Sequence, residues 1–338
     1  MSGEKILVTG GLGYIGSHTV VELQNRGYQA IIIDNLANSK ADVADRIEKI
    51  TGTKPIVYLN DVRDKKALST IGQNHPDITA VVHFAADKAV GESVEKPLKY
   101  YNNNIGGLVS ILEFMKEYKV DHLVFSSSCT VYGEPDEVPV SEDSKVVAAA
   151  SPYGNTKKIA EEIIVDVAQV NPMKAVCLRY FNPVGAHESA LIGELPLGVP
   201  NNLVPFITQT AAGLRDSLTV FGDDYNTADG TCIRDYIHVM DLAEAHVVAI
   251  DYLSRQSKDV SFFNIGTGTG SSVLEVIRAF EQSSGQELPY TIGARRGGDV
   301  EQIWASTELA TSELGWKAHR DLNSMMETAW NWQKSLVD

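Results

Sequence analysis

Six short, near-continuous apolar runs punctuate the first half of the chain. They are "KILVT" (5–9), "AIIID" (30–34), "PIVYLN" (55–60), "AVVHFA" (80–85), "HLVFSSS" (122–128) and "AVCLRY" (175–180). Runs of this kind predict parallel strands covered on both faces. Helical stretches lie between them, and in "YIGSHTVVELQNRG" Gly27 suits the position just past a helix end. The alternation predicts an open, doubly wound α/β sheet. After about residue 181 the rhythm breaks, because "NPVGAHESALIGELPLGVPNNLVPF" is rich in Pro, Gly and Asn and reads as loop with short elements. Helical patterns return at 241–253 and 273–282, the latter opened by the capping box Ser272-x-x-Glu275, and again in "STELATSELG", with Gly315 past its end. The pattern predicts a regular sheet domain over 1–180, to which 232–265 returns. A smaller, irregular domain over 181–338 is expected to lie across the carboxyl ends of the strands, where ligands bind in such folds. No internal repeat or low-complexity tract interrupts either half.

Composition narrows the class. The 338 residues are 43% apolar and 22% charged, as in an ordinary soluble globular protein of roughly two domains. No apolar run approaches the ~18 residues of a membrane helix. The start, "MSGEKILVTGG", reads as a first strand rather than a secretion signal. Cys129, Cys177 and Cys232 are widely spaced, which predicts a reducing, cytoplasmic setting without disulfides. A formal charge of −15 argues against a nucleic-acid or acidic-membrane surface. An anionic substrate would need particular arginines to hold it.

Between the first strand and first helix, "VTGGLGYIGSH" sets Gly10, Gly13 and Gly16 three apart. Small residues there permit a tight turn and let a pyrophosphate reach the N–H groups of the helix start. Glycines alone also mark ordinary turns, but Asp34 ends the second strand 18 positions after Gly16. A carboxylate so placed accepts the adenosine ribose hydroxyls and repels a 2′-phosphate. No arginine follows within ten positions, so the site predicts NAD rather than NADP.

"SPYGNTK" (151–157) carries the candidate chemistry. Ser151 suits a helix cap and Pro152 the first helical position, which puts Tyr153 and Lys157 one turn apart on one face. Tyr-x-x-x-Lys alone is a common surface pair, yet of 13 tyrosines only Tyr153 has lysine four places on. A free phenol has a pKa of about 10, and bringing it near 7 takes roughly 4 kcal/mol of preference for phenolate. An adjacent ammonium and an oxidised nicotinamide both act in that direction, and the phenolate can then take a hydroxyl proton.

Together, Gly10-x-x-Gly13-x-x-Gly16, Asp34, "SSS" (126–128) and Tyr153-x-x-x-Lys157 resemble the extended short-chain dehydrogenase/reductases, with their Rossmann-type sheet. The resemblance is closer still to the UDP-glucose 4-epimerases, through "HFA…KAVGES" (83–94), "SSSCTVYG" (126–133), "LRYFNPVGAH" (178–187), "PNNLVPF" (200–206), "DGT…RDYIHVMDLA" (229–243) and "RRGGD" (295–299), and runs from about residue 5 to Trp332. It implies interconversion of UDP-galactose and UDP-glucose: hydride passes from sugar carbon 4 to tightly bound NAD, the 4-keto sugar turns over, and hydride returns to its other face. It further implies Tyr153 as base, Lys157 as its electrostatic partner and Ser128 as a donor to the reacting hydroxyl. Tyr14, Ile15, Asn35, Asp61, Val62, Phe84, Ala85, Lys88, Asn103 and Phe181 would complete the NAD site. Asn182, Asn202, Leu203, Thr219, Phe221, Arg234, Arg296 and Asp299 would hold UDP-sugar, the arginines suiting a diphosphate because guanidinium forks pair with phosphate oxygens. A homodimer through helices near 100–118 and 155–170 is implied as well.

Rival readings are weaker. Related dehydratases and decarboxylases carry acidic residues just before "VYG", where this chain has Cys129 and Thr130. An NAD-binding protein without catalysis would not need Tyr153, Lys157 and Ser128 together. His83 reads as structural, Cys129 as small and buried, "DDYNTADG" misses the calcium-loop spacing, and the eight histidines form no metal-ligand pattern. Two departures from the family's pattern stand out. Ala86-Asp87 stand where Gly-Leu is frequent, with little expected harm to NAD binding. Ile303 occupies a position that resembles a gate at sugar carbon 2, its intermediate size implying weak reaction of UDP-N-acetylhexosamines.

Overall fold

The computed structural model describes residues 3–146, 149–297 and 299–337. The six apolar runs become β1 (Lys5–Thr9), β2 (Gln29–Ile33), β3 (Ile56–Tyr58), β4 (Ile78–His83), β5 (His122–Ser126) and β6 (Lys174–Tyr180). Three strands follow, β7 (Asn182–Val184), β8 (Leu218–Phe221) and β9 (Ile233–His238), before β10 (Val260–Ile265). Among the described residues, β10 joins the first six in one parallel sheet ordered β10-β6-β5-β4-β1-β2-β3. The run "VSFFNI" is interrupted by Ser261 and Asn264, and no local pattern names its distant partner β6.

Alternating side chains serve the two faces of this sheet. Ile6, Val8, Ile32 and Val82 enter one core with the helices Tyr14–Asn25 and Val239–Leu253, while Leu7, Ile31, Val81 and Leu123 enter the other with Gly106–Tyr118 and Pro152–Val170. Strand order reverses between β1 and β4, so the chain leaves β1 and β4 in opposite directions and a crevice opens at their carboxyl ends.

The second half builds its own core from Val204, Ile207, Val276, Phe280, Met325 and Met326, on helices Leu203–Ala211, Val273–Ser284 and Leu322–Ser335. The capping box closes both ways: Ser272 Oγ accepts Glu275 N–H at 3.0 Å, and Glu275 accepts Ser272 N–H at 2.7 Å. Short ladders complete this half, with β9 contacting β7, β11 (Gly270–Ser272) and β13 (Gln302–Ile303), and β8 contacting β12 (Tyr290–Gly293). In "STELATSELG" the expected helix shrinks largely to one wide turn, Ala310–Leu314, ended by Gly315 at φ +79°. No helix among the described residues is long and apolar enough to cross a membrane.

Candidate active site

At the nucleotide end, the turn after β1 admits no side chain at Gly16. A Cβ there would lie 2.2 Å from the carbonyl oxygen of Gly10, which itself has φ +68°. No side chain caps the helix that starts at Tyr14, and Gly13, Tyr14, Ile15 and Gly16 at its start line the cavity. Asp34 is buried at the end of β2 and accepts Leu12 N–H at 3.0 Å, Leu36 N–H at 2.9 Å and Ser39 Oγ at 2.7 Å. A carboxylate has about four lone-pair sites, so room remains for a ribose hydroxyl. These features fit a dinucleotide. Gly10, Gly13, Tyr14, Ile15, Gly16, Asp34, Asn35, Val62, Phe84, Ala85, Lys88 and Asn103 line one cavity with Tyr153 and Lys157. Asp61 stands behind the wall, accepting Asn35 Nδ2 at 3.0 Å while Arg63 holds its carboxyl well below the usual range.

The catalytic candidates come from the end of β5 and the helix beside it. Ser151 Oγ accepts Gly154 N–H at 3.1 Å and starts that helix with Pro152 as its first residue. Three consecutive serines then take three tasks. The carbonyl of Ser126 accepts Lys157 Nζ at 2.6 Å, Ser127 Oγ donates to Glu161 at 2.6 Å, and the Ser128 hydroxyl accepts Thr130 N–H at 3.2 Å on the Tyr153 side, where it acts to lower the pKa of the phenol. Glu161 and Arg179 form a buried bidentate pair at 2.9 and 2.7 Å beneath them. Lys157 Nζ lies 6.0 Å from the centre of the Tyr153 ring. Burial dominates both groups: it raises the Tyr153 phenol well above its ordinary value, which Ser128 partly offsets, and it lowers Lys157 to about 8 against the pull of Glu161. Charge beyond that of Lys157 is needed to favour phenolate, as a bound cation would supply.

Asn104 ties this helix to the cofactor wall. It sits in a π-turn, Tyr101–Ile105, accepts Asp87 N–H at 2.8 Å, and donates to Asp87 O at 3.0 Å and Thr156 Oγ1 at 3.1 Å. Such wide turns are frequent at functional sites, and here Asn104 is buried. Asp87 is thereby held through both its backbone N–H and its carbonyl. His83 contacts Thr9 Oγ1 at 2.8 Å inside the sheet, and burial lowers it to about 3. Cys129, expected to be buried, is instead partly exposed and lines the larger cavity, and desolvation raises its thiol to about 12.

A larger cavity of about 900 Å³ adjoins the first and shares Gly13, Tyr14 and Lys88 with it. Asn182, Asn202, Arg234, Arg296, Asp299 and Ile303 line it. Asp235 is buried and accepts Thr267 N–H at 2.8 Å, Gly268 N–H at 3.1 Å and Ala305 N–H at 3.2 Å. These bonds hold β9 beside β13, which sets Arg234 next to Ile303. Arg296 pairs with Asp299 at 2.7 Å and lies 5.6 Å over the ring of Phe221, half-exposed at the end of β8. Gly298 of "RRGGD" lies outside the described residues.

Other named residues stand outside both cavity walls. Ser128 is buried, accepts Thr130 N–H and influences the Tyr153 phenol, and Phe181 is buried with Tyr132 and Ile303. Leu203 contacts the second core and Thr219 lies within β8. Sequence reasoning missed Ala37, Asn38 and Ser39, which line the nucleotide wall just after Asp34, and Glu194, which lines the larger cavity. The first three follow a marked strand end and were within reach of the motif; Glu194 had no signal in an irregular loop.

The protein-family model described as GDP-mannose 4,6 dehydratase matches residues 7–329. A UDP-glucose 4-epimerase of Arabidopsis thaliana is 52% identical over 333 residues, covering 97% of this chain and 95% of the relative. One from Yersinia enterocolitica is 50% identical over 330 residues, 97% of each. The crystal structure of the UDP-glucose 4-epimerase of Stenotrophomonas maltophila, with NAD and formylated UDP-arabinopyranose, superposes with a TM-score of 0.96 at 50% identity over 99% of both chains. That of Bifidobacterium longum, with NAD+ and UDP, gives 0.94 at 46% identity over 98% of both. Glycine turn, Tyr-x-x-x-Lys helix and sheet order together define an extended short-chain dehydrogenase/reductase. Within that class the chain belongs to the UDP-glucose 4-epimerase family, at about half identity over nearly its whole length.

Proposed function

We propose that the protein interconverts UDP-galactose and UDP-glucose with NAD as a resident cofactor. The observation that carries the reading is the buried Tyr153–Lys157–Ser128 set where the two cavities meet: Tyr153 lines the first, and its neighbours Ser151, Cys129 and Thr130 line the second. NAD held by the glycine turn, Asp34 and Lys157 would supply a hydride acceptor for sugar carbon 4, and its positive charge would add to that of Lys157 in favouring the Tyr153 phenolate. Tyr153 takes the proton of the carbon-4 hydroxyl and later gives it back, while Ser128 steadies that oxygen by hydrogen bonding. Arg234 and Arg296 grip the diphosphate, a fixed pivot about which the keto sugar can present either face. The larger cavity leaves space for that turn.

Residues 1–180 with 232–265 serve as the NAD-binding domain, and most of 181–338 as the UDP-sugar domain. The protein works in the cytoplasm as a homodimer through helices near 100–118 and 155–170. The test is to purify it without added NAD, incubate it with UDP-galactose and read products by proton NMR. UDP-glucose is expected; no conversion even with NAD supplied would overturn the reading.

A further inference from the structure

Two groups of cations lining the larger cavity meet carboxylates in different ratios. Arg234 and Arg296 share Asp299, at 4.0 and 2.7 Å. That end keeps a surplus of positive charge and suits a diphosphate. Lys88, by contrast, has a carboxylate of its own: Glu194 at 2.9 Å, whose side chain is only 11% exposed. The same Glu194 oxygen accepts Asn202 Nδ2 at 2.8 Å. Its backbone carbonyl accepts Trp332 Nε1 at 2.9 Å, which fixes this loop against the last helix. Glu194 therefore stands between a cofactor candidate, Lys88, and a sugar candidate, Asn202, in a part of the cleft that is polar but balanced in charge.

We infer that Glu194 is a specificity-determining residue that reserves this part of the cleft for uncharged sugars and excludes sugar nucleotides whose sugar carries a carboxylate. The inference rests on the sugar-nucleotide reading above. A sugar carboxylate here would find Lys88 already paired and would face the like charge of the largely buried Glu194 carboxylate, a juxtaposition that disfavours such ligands. A neutral sugar meets a mixed set instead: Glu194 accepts hydroxyl protons, while Lys88 and Asn202 donate. Rejection by a repulsive group, with attraction kept for the wanted ligand, is a common route to specificity.

The experiment is calorimetric titration of the NAD-loaded protein with UDP, UDP-glucose and UDP-glucuronate, repeated on Glu194→Gln and Glu194→Asp. The natural protein is expected to bind UDP-glucuronate at least about tenfold more weakly than UDP-glucose. Glu194→Gln should shrink that ratio to about threefold or less, and Glu194→Asp, which keeps the charge, should preserve most of it. Equal affinities in the natural protein, or an unchanged ratio in Glu194→Gln, would overturn the role of Glu194. Absence of UDP binding would instead overturn the sugar-nucleotide reading. The comparison within the natural protein needs no variant, so a misfolded variant leaves it decisive.

Discussion

The two walls of the cleft are made in different ways. On the nucleotide wall, one turn and the ends of adjacent parallel strands do the positioning: Gly10, Gly16 and Asp34 act within a single strand–helix–strand unit. On the sugar wall, Asn202, Arg234, Arg296 and Ile303 come from four separate segments, assembled by short ladders and by the buried Asp235. Damage to the first should therefore remove a whole ligand, and damage to the second should weaken or redirect one. The catalytic set belongs to neither wall alone, since Tyr153 sits at their junction.

The largest effect is expected at that junction. Tyr153→Phe keeps the ring in place and deletes the proton acceptor, so turnover should fall by about 10²–10⁴-fold with NAD still bound. Product formation by NMR beside cofactor content by absorbance checks this, and a variant that retained most of its rate would remove Tyr153 from the mechanism.

Gly16→Ala breaks the nucleotide wall itself. With the new methyl facing the Gly10 carbonyl at 2.2 Å, the turn must open, and the protein should lose its NAD on purification and melt earlier. Full cofactor occupancy in this variant would show that the turn yields more readily than its geometry implies.

Arg234→Ala, on the other wall, should spare NAD. Loss of a charge-assisted hydrogen bond weakens binding by about 1.5–3 kcal/mol, or roughly 10–100-fold in UDP affinity. Equal loss of NAD and UDP would erase the contrast between the walls.

Acidity offers a smaller effect. Burial lowers Lys157 from 10.5 to about 8, so its ammonium is lost as the pH climbs through that value and activity should decline on the alkaline side. The unfolded chain holds this proton up to the higher pKa, so between about 8 and 10.5 the group favours folding increasingly as pH rises. Glu161 pulls the Lys157 pKa upward, and Glu161→Gln should move the alkaline limb of the rate profile to lower pH. An alkaline limb that stays put in Glu161→Gln would separate Lys157 from the pH dependence.

The smallest expected change concerns sugar carbon 2. Ile303 is buried against Tyr132 and Phe181 with its side facing the larger cavity. Ile303→Ala should raise the relative rate on UDP-N-acetylgalactosamine by about tenfold. Equal rates on both substrates in the natural protein would remove Ile303 as a gate.

Much of the nucleotide wall was legible because its information is local. Apolar runs marked six strands, and Gly10, Gly16 and Asp34 marked the turn and strand end within one unit. Ser151 and Pro152 likewise announced the helix that carries Tyr153 and Lys157, and its observed start agrees. The Ala310–Leu314 turn went astray because a helical pattern of polar and apolar residues does not distinguish a regular turn from a wide one.

By itself, then, the sequence determined the periodicities, the caps, the glycine turn and the residue types able to do the chemistry, since each depends on sterics and hydrogen bonds among near neighbours. Only the tertiary structure decided that β10 closes the sheet beside β6, that Asn104 joins Asp87 to Thr156, and that Glu194 meets both Lys88 and Asn202. Those contacts link residues far apart along the chain, and it is burial and packing of the whole fold that bring them within bonding distance.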